Sequence, residues 1–273
     1  MLIYMSQKYL INIQPFLLFV LFVGISFLDI NRKNKFTKNL FLYSLLSTFC
    51  AYFFIVLNLT FEKNYNYLTL ILYLTFSIIL LIYFFSCLID FRFIRLRLLF
   101  VPYFCIVLLI CCFTFYGVNS LDKNTILFEN KLLTIHIITS LLAYSFLTNS
   151  AISSIAVFAQ EKNLKNSYSK KSIFYQLLPS IYESEIITIR LLYATQMFLL
   201  LSLISGFFYS NELSLSLYIM NEKSIISIFT FILIWALLII RKIFGLSGKK
   251  IFNLVLLSYL LINFGYFGYK LIN

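Results

Sequence analysis

Eight apolar runs follow one another along this chain, each close to the length a helix needs to cross a bilayer, with short basic loops between most of them. They cover residues 10–28, 40–59, 68–88, 98–118, 132–158, 186–209, 225–240 and 251–269. The seventh is short and can extend outward through residues 221–224. In lipid every backbone N–H and C=O must be satisfied within the segment, so helices are expected. No ten-residue alternation suggests a barrel. The expected fold class is therefore all-α: a polytopic integral membrane protein of about eight transmembrane helices. Composition agrees, with 62% hydrophobic and 12% charged residues where a soluble domain carries roughly 25% charged. The over-use of Phe, Ile, Asn and Lys fits AT-rich coding and by itself argues little about structure.

The charges set an orientation. Arg32, Lys33, Lys35 and Lys38 fall between the first and second runs, and Arg92, Arg95 and Arg97 between the third and fourth. Lys162, Lys165, Lys170 and Lys171 follow the fifth, and Arg241, Lys242, Lys249 and Lys250 the seventh. The other side receives only Lys8, Lys63, Lys123, Lys131, Lys223 and Lys270. By the positive-inside rule the odd-numbered loops are cytoplasmic and both termini face out. The net charge of +12 thus reads as anchoring at an anionic leaflet, not as a nucleic-acid surface.

Two halves are expected, residues 1–131 and 132–273, each of four spans. The first span is longer than a signal-peptide core and lacks a small-residue cleavage pattern, so it is read as a retained helix. No internal repeat is visible. The longest hydrophilic stretch is 160–185. Its first part reads as a helix continuing beyond the membrane, then a Ser/Lys turn. In its second part Ser180 and Glu183 have the spacing of a capping box. Cys50, Cys87, Cys105, Cys111 and Cys112 all lie within apolar runs, and none forms a C-x-x-C pair.

Few residues here carry chemistry. His136 is the one histidine of the chain, five residues beyond Lys131. It is either an axial ligand to something like haem iron or a polar residue anchoring a helix end. Ser140 and Tyr144 follow on the same face, a stripe that also suits helix–helix packing. Arg190 stands four residues inside the sixth run, as a functional intramembrane charge or a snorkelling one. Glu183, Glu185, Asp90 and Glu161 are its available partners. Met220 is the soft side chain on the outward side able to serve as a second axial ligand, or it merely packs. No P-loop, Gly-rich dinucleotide turn, paired carboxylates or nucleophile set can be assembled, so catalysis by the protein's own side chains is not expected.

From His136 onward the chain resembles the cytochrome c assembly protein family, the CcsA/CcmC-type haem handlers, and especially its short HemX/YpjD-like branch. The resemblance is carried in order by His136 with 140–145, by 160–165, by Leu178-Pro179-Ser180, Glu185 and Arg190, and by 204–206. It continues through Lys223, Arg241, 245–249 and 265–268. It implies that His136 ligates haem near the outer face. The chain also departs from the family. Residues 210–223 contain no tryptophan where a tryptophan-rich segment is expected, Trp235 lying elsewhere. Ile239 stands near the position of a second external histidine, and Glu222 where the short branch tends to carry one. A bis-histidine site is therefore not available, leaving Met220, water or a partner's residue opposite His136.

The leading expectation is a non-enzymatic protein of the bacterial inner membrane. It would handle haem near the outer face and work beside other cytochrome c maturation or haem-biosynthesis proteins. In the alternative it is a cofactor-free regulator or scaffold acting through its cytoplasmic loops. Small-solute transport ranks last, because broken helices and midplane charges are missing.

Overall fold

The computed structural model describes residues 2–28, 35–62, 67–117, 130–165, 175, 177–212, 222–245 and 248–265. Among them there are nine helices and no strand. They are α1 (Leu2–Ser26), α2 (Lys35–Glu62), α3 (Tyr67–Ile89), α4 (Arg92–Arg95) and α5 (Arg97–Gly117). After these come α6 (Lys131–Lys165), α7 (Ile181–Glu212), α8 (Glu222–Phe244) and α9 (Lys249–Asn263). Among the described residues a helix lies in each of the eight apolar runs, and α8 reaches back over residues 222–224. Five are long and apolar enough to cross a membrane: Lys35–Thr60, Thr69–Ile89, Lys131–Lys165, Ile181–Ser210 and Ser224–Phe244. Gln14–Ser26 and Arg97–Cys111 are shorter apolar helices. The ninth helix, α4, is a single turn within the basic loop between the third and fourth runs. Asp90 Oδ1 accepts the Arg92 N–H at 3.0 Å, and an Arg92–Asp90 ion pair at 2.6 Å holds that turn.

The chain divides into two compact units, Met1–Thr125 and Ile126–Asn273. The first is built on aromatic rings. Phe22 of α1 lies 5.7 Å from Phe41 of α2 and 6.2 Å from Phe104 of α5, centroid to centroid. Phe76 of α3 meets Phe104 edge-on at 5.6 Å, and Tyr83 stacks on Phe100 at 3.9 Å. All six of these rings are buried. Aromatic pairs of such geometry add about 0.5–1.5 kcal/mol each beyond their buried area. Particular phenylalanines therefore knit this unit, whatever the coding bias behind their number.

Arg97 corrects the charge reading. Instead of standing in the headgroups as a leaflet anchor, its side chain is 2% exposed. Its guanidinium donates to Ser26 O at 2.8 Å, Leu28 O at 3.2 Å and Ile94 O at 3.4 Å. The first two lie at the C-terminal end of α1, where backbone carbonyls have no intrahelical donor and the helix dipole is negative. A planar fork of N–H donors suits several carbonyls at once. Lys38, on α2, places its ammonium 6.0 Å from the Phe91 ring centroid.

The second unit is organised by α6 and α7. Paired residues run in opposite directions: His136 meets Ser202, Ser150 meets Thr188, and Gln160 meets Leu178. The two helices are thus antiparallel over nearly the full length of α6. Between helices in lipid there is little hydrophobic drive, so close approach of small and hydroxylic residues takes its place. Ser145, Thr148, Ser150, Ala151, Ser153 and Ala156 of α6 are all buried. Ser145 Oγ and Thr148 Oγ1 donate to carbonyls one turn back, at 2.7 and 2.8 Å. Across the helices, Ser153 Oγ lies 2.8 Å from Thr188 Oγ1. On either side, α8 meets α7 through the Gln196 amide on Phe231 O (3.3 Å). The other neighbour, α9, meets α6 through stacked Phe158 and Phe252.

Candidate functional site

The second turn of α6 holds His136 against α7. Its ring is half-buried, and Nδ1 lies 2.9 Å from the carbonyl oxygen of Ser202. A carbonyl can only accept, so Nδ1 carries the proton and, in the neutral ring, Nε2 keeps its lone pair. Ser205 Oγ donates to the same carbonyl at 3.0 Å and lies 3.5 Å from His136 Nδ1. Thr139, one turn along α6, lies 3.5 Å from Ser205 Oγ. Next to this polar cluster the exposed side chains are apolar: Ile135 and Ile138 on α6, Ile204, Phe207 and Phe208 on α7. The result is one oriented imidazole set in a greasy surface.

A second cluster ties the far end of the same helices. Gln160 Nε2 donates to Tyr175 O at 2.8 Å and lies within 3.5 Å of Leu178 O and Pro179 O. The capping box forms as its spacing predicts. Glu183 N–H donates to Ser180 Oγ (3.3 Å), and Ser180 N–H to Glu183 Oε2 (3.0 Å). Two carboxylates then receive the start of α9. Gly248 N–H donates to Glu185 Oε1 at 2.5 Å and Lys249 N–H to Glu161 Oε2 at 2.6 Å. Anionic groups belong there, because the first amides of a helix have no intrahelical acceptor and its dipole is positive. Gly248 has φ 61°, and a Cβ on it would collide with Glu161 Oε2. His136 and Glu161 are 25 residues apart on one continuous helix, or about 37 Å along its axis. That exceeds the roughly 30 Å of a hydrocarbon core.

The remaining residues singled out from the sequence are dispersed. Tyr144 turns to α9, where its hydroxyl donates to Asn263 Oδ1 at 3.0 Å. Arg190 is exposed on α7. Of the carboxylates considered for it, Glu183 accepts from Ser180 N–H, Glu185 and Glu161 also accept from the α9 amides, and Asp90 also pairs with Arg92. Lys223 lies in the first turn of α8. Met220 lies outside the described residues. Among the described residues no group of three or more His, Cys, Asp or Glu side chains could hold a metal ion. Sequence reasoning missed Arg97 as a buried hub and Gln160 as a loop anchor. The signal for the knot was present in the spacing of Gly245 and Gly248 just before an apolar helix, since glycine is the residue that supplies positive φ.

Residues 64–273 match the model of the family described as cytochrome C assembly protein. The chain belongs to the cytochrome c assembly protein family. The match begins near the start of α3, well upstream of the His136-to-end stretch that carried the resemblance. With its apolar helices, membership makes this a multi-pass membrane protein. An Azospirillum brasilense protein described as "Uncharacterized 28.8 kDa protein in nifR3-like 5'region" is 31% identical over 138 residues, 50% of each chain. The chain therefore spans about half the length of that curated relative. No solved structure matches.

Proposed function

We propose that this family member handles haem near the outer membrane face, with His136 as the one protein ligand on its side of the iron. The observation that carries the reading is the Nδ1–H bond from His136 to Ser202 O. A metal-bound imidazole characteristically donates its other ring N–H to a carbonyl or carboxylate, which selects the tautomer and raises ligand basicity. The apolar side chains around the ring suit a flat macrocycle. When bound, haem would supply the redox-active iron, while the chain orients and presents its ligand. Met220, water or a residue of a partner would complete the ligation of the iron. No bond-making step falls to the protein's own side chains in this reading, so it is not an enzyme.

The same reading has eight crossings, both termini outside, residence in a bacterial inner membrane, and cytochrome c maturation or haem-biosynthesis proteins as partners. The basic residues around the Gln160–Gly248 knot support a cytoplasmic position for that end. The test is haem titration into detergent-purified protein, followed by absorbance in the oxidised and reduced states. A Soret band that His136→Ala abolishes and Tyr144→Phe retains is the expected result. A band unchanged by His136→Ala, or no haem uptake by the unaltered protein, overturns it and leaves a cofactor-free scaffold.

A further inference from the structure

The hydroxyls beside His136 form a small device of their own. Thr139 Oγ1 places its single proton on backbone oxygens of its own helix, Ile135 O at 2.8 Å or His136 O at 3.1 Å. With its proton so placed, Thr139 Oγ1 acts towards Ser205 as an acceptor. Ser205 also has one proton, and two acceptors compete for it: Ser202 O at 3.0 Å and Thr139 Oγ1 at 3.5 Å. The first of these is the oxygen that receives His136 Nδ1–H.

We infer that Ser205 is a positioning residue that sets the strength of the His136 Nδ1–H hydrogen bond by sharing or releasing the Ser202 carbonyl. With its hydroxyl on Ser202 O, the carbonyl is divided between two donors and the imidazole bond is weakened. With its hydroxyl turned to Thr139, that carbonyl is left to the imidazole. The ring then gains imidazolate character, and Nε2 becomes the more basic ligand. Hydrogen bonding behind an axial ligand is one of the protein's levers on haem potential. This second consequence rests on the haem reading; the hydrogen-bond rotor itself does not.

The chain has a single histidine, so uniform histidine labelling with nitrogen-15 reports on His136 alone. In the full-length protein in detergent, Ser205→Ala removes the competing donor, and the Nδ1-bound proton should move to lower field. Thr139→Val removes the alternative acceptor, confines the Ser205 proton to Ser202 O, and should move the signal the opposite way. Ser205→Thr keeps a hydroxyl and should return it to its original position. In haem-loaded samples the reduction potential should fall with Ser205→Ala and rise with Thr139→Val. Signals that stay in place, or that move the same way in both variants, overturn the inference. Should the protein take up no haem, the haem reading fails while the magnetic-resonance measurement still decides this one.

Discussion

Replacing Gly248 by alanine separates two penalties that a neighbouring glycine helps to resolve. Gly245 and Gly248 have nearly the same φ, 63° and 61°. A Cβ on Gly245 meets nothing within 4 Å, whereas one on Gly248 strikes the Glu161 carboxylate. Left-handed backbone alone costs an alanine roughly 1–2 kcal/mol. At Gly248 the ψ of −132° adds strain, to a total of about 1–3 kcal/mol. Displacing Glu161 also loosens its bond from Lys249 N–H, worth about 1 kcal/mol at this exposed site. Gly248→Ala should thus cost about 2–4 kcal/mol and Gly245→Ala about 1–2 kcal/mol. For a chain of this size each kcal/mol moves the midpoint by about 2–4 °C. Thermal unfolding in detergent, followed by helical ellipticity, should place Gly248→Ala several degrees below Gly245→Ala. In a Glu161→Ala background the gap between the two should shrink, since the obstructing carboxylate is gone. Equal losses at both glycines, or a gap untouched by Glu161→Ala, would refute the argument.

Two more outcomes follow from the polar hubs. Arg97→Lys keeps the charge but lacks the fork that reaches Ser26 O, Leu28 O and Ile94 O. It should destabilise the protein by about 2–4 kcal/mol, read as a lowered unfolding midpoint; an unchanged midpoint would return Arg97 to the role of a leaflet anchor. Gln160→Ala removes the amide that holds Tyr175 O and its neighbours. At about 1–2 kcal/mol, it should speed protease cleavage between residues 175 and 180 roughly 5–30-fold. A cleavage rate equal to that of the unaltered protein would show that the loop is held by something else.

The capping box at Ser180 and Glu183 was legible in the sequence because both partners lie within one turn, where spacing alone brings them together. The extension of α6 past Phe158 was legible for a similar reason: 159–165 keeps good helix formers after the apolar run ends. Arg97 was misread because a charge beside an apolar run looks the same whether it points to lipid headgroups or into a protein. Only the arrival of the α1 C-terminus beside it separates the two, and that contact spans about seventy residues of chain. In the sequence Glu161 and Glu185 are separate marks of family resemblance. That both end on the amides opening α9 was not visible, since no local rule links residues 161, 185 and 248.

Sequence alone is enough for the long apolar helices and the solvent they are made for. Unbroken apolar length and the need to satisfy backbone polar groups in lipid leave no other element. The tertiary structure alone decided what the few polar side chains do. His136 in the sequence is an imidazole with two equivalent possibilities for its proton. Antiparallel packing of α6 on α7 sets it against Ser202 O, and a carbonyl, being unable to donate, makes Nδ1 the protonated nitrogen and leaves Nε2 as the one with a lone pair.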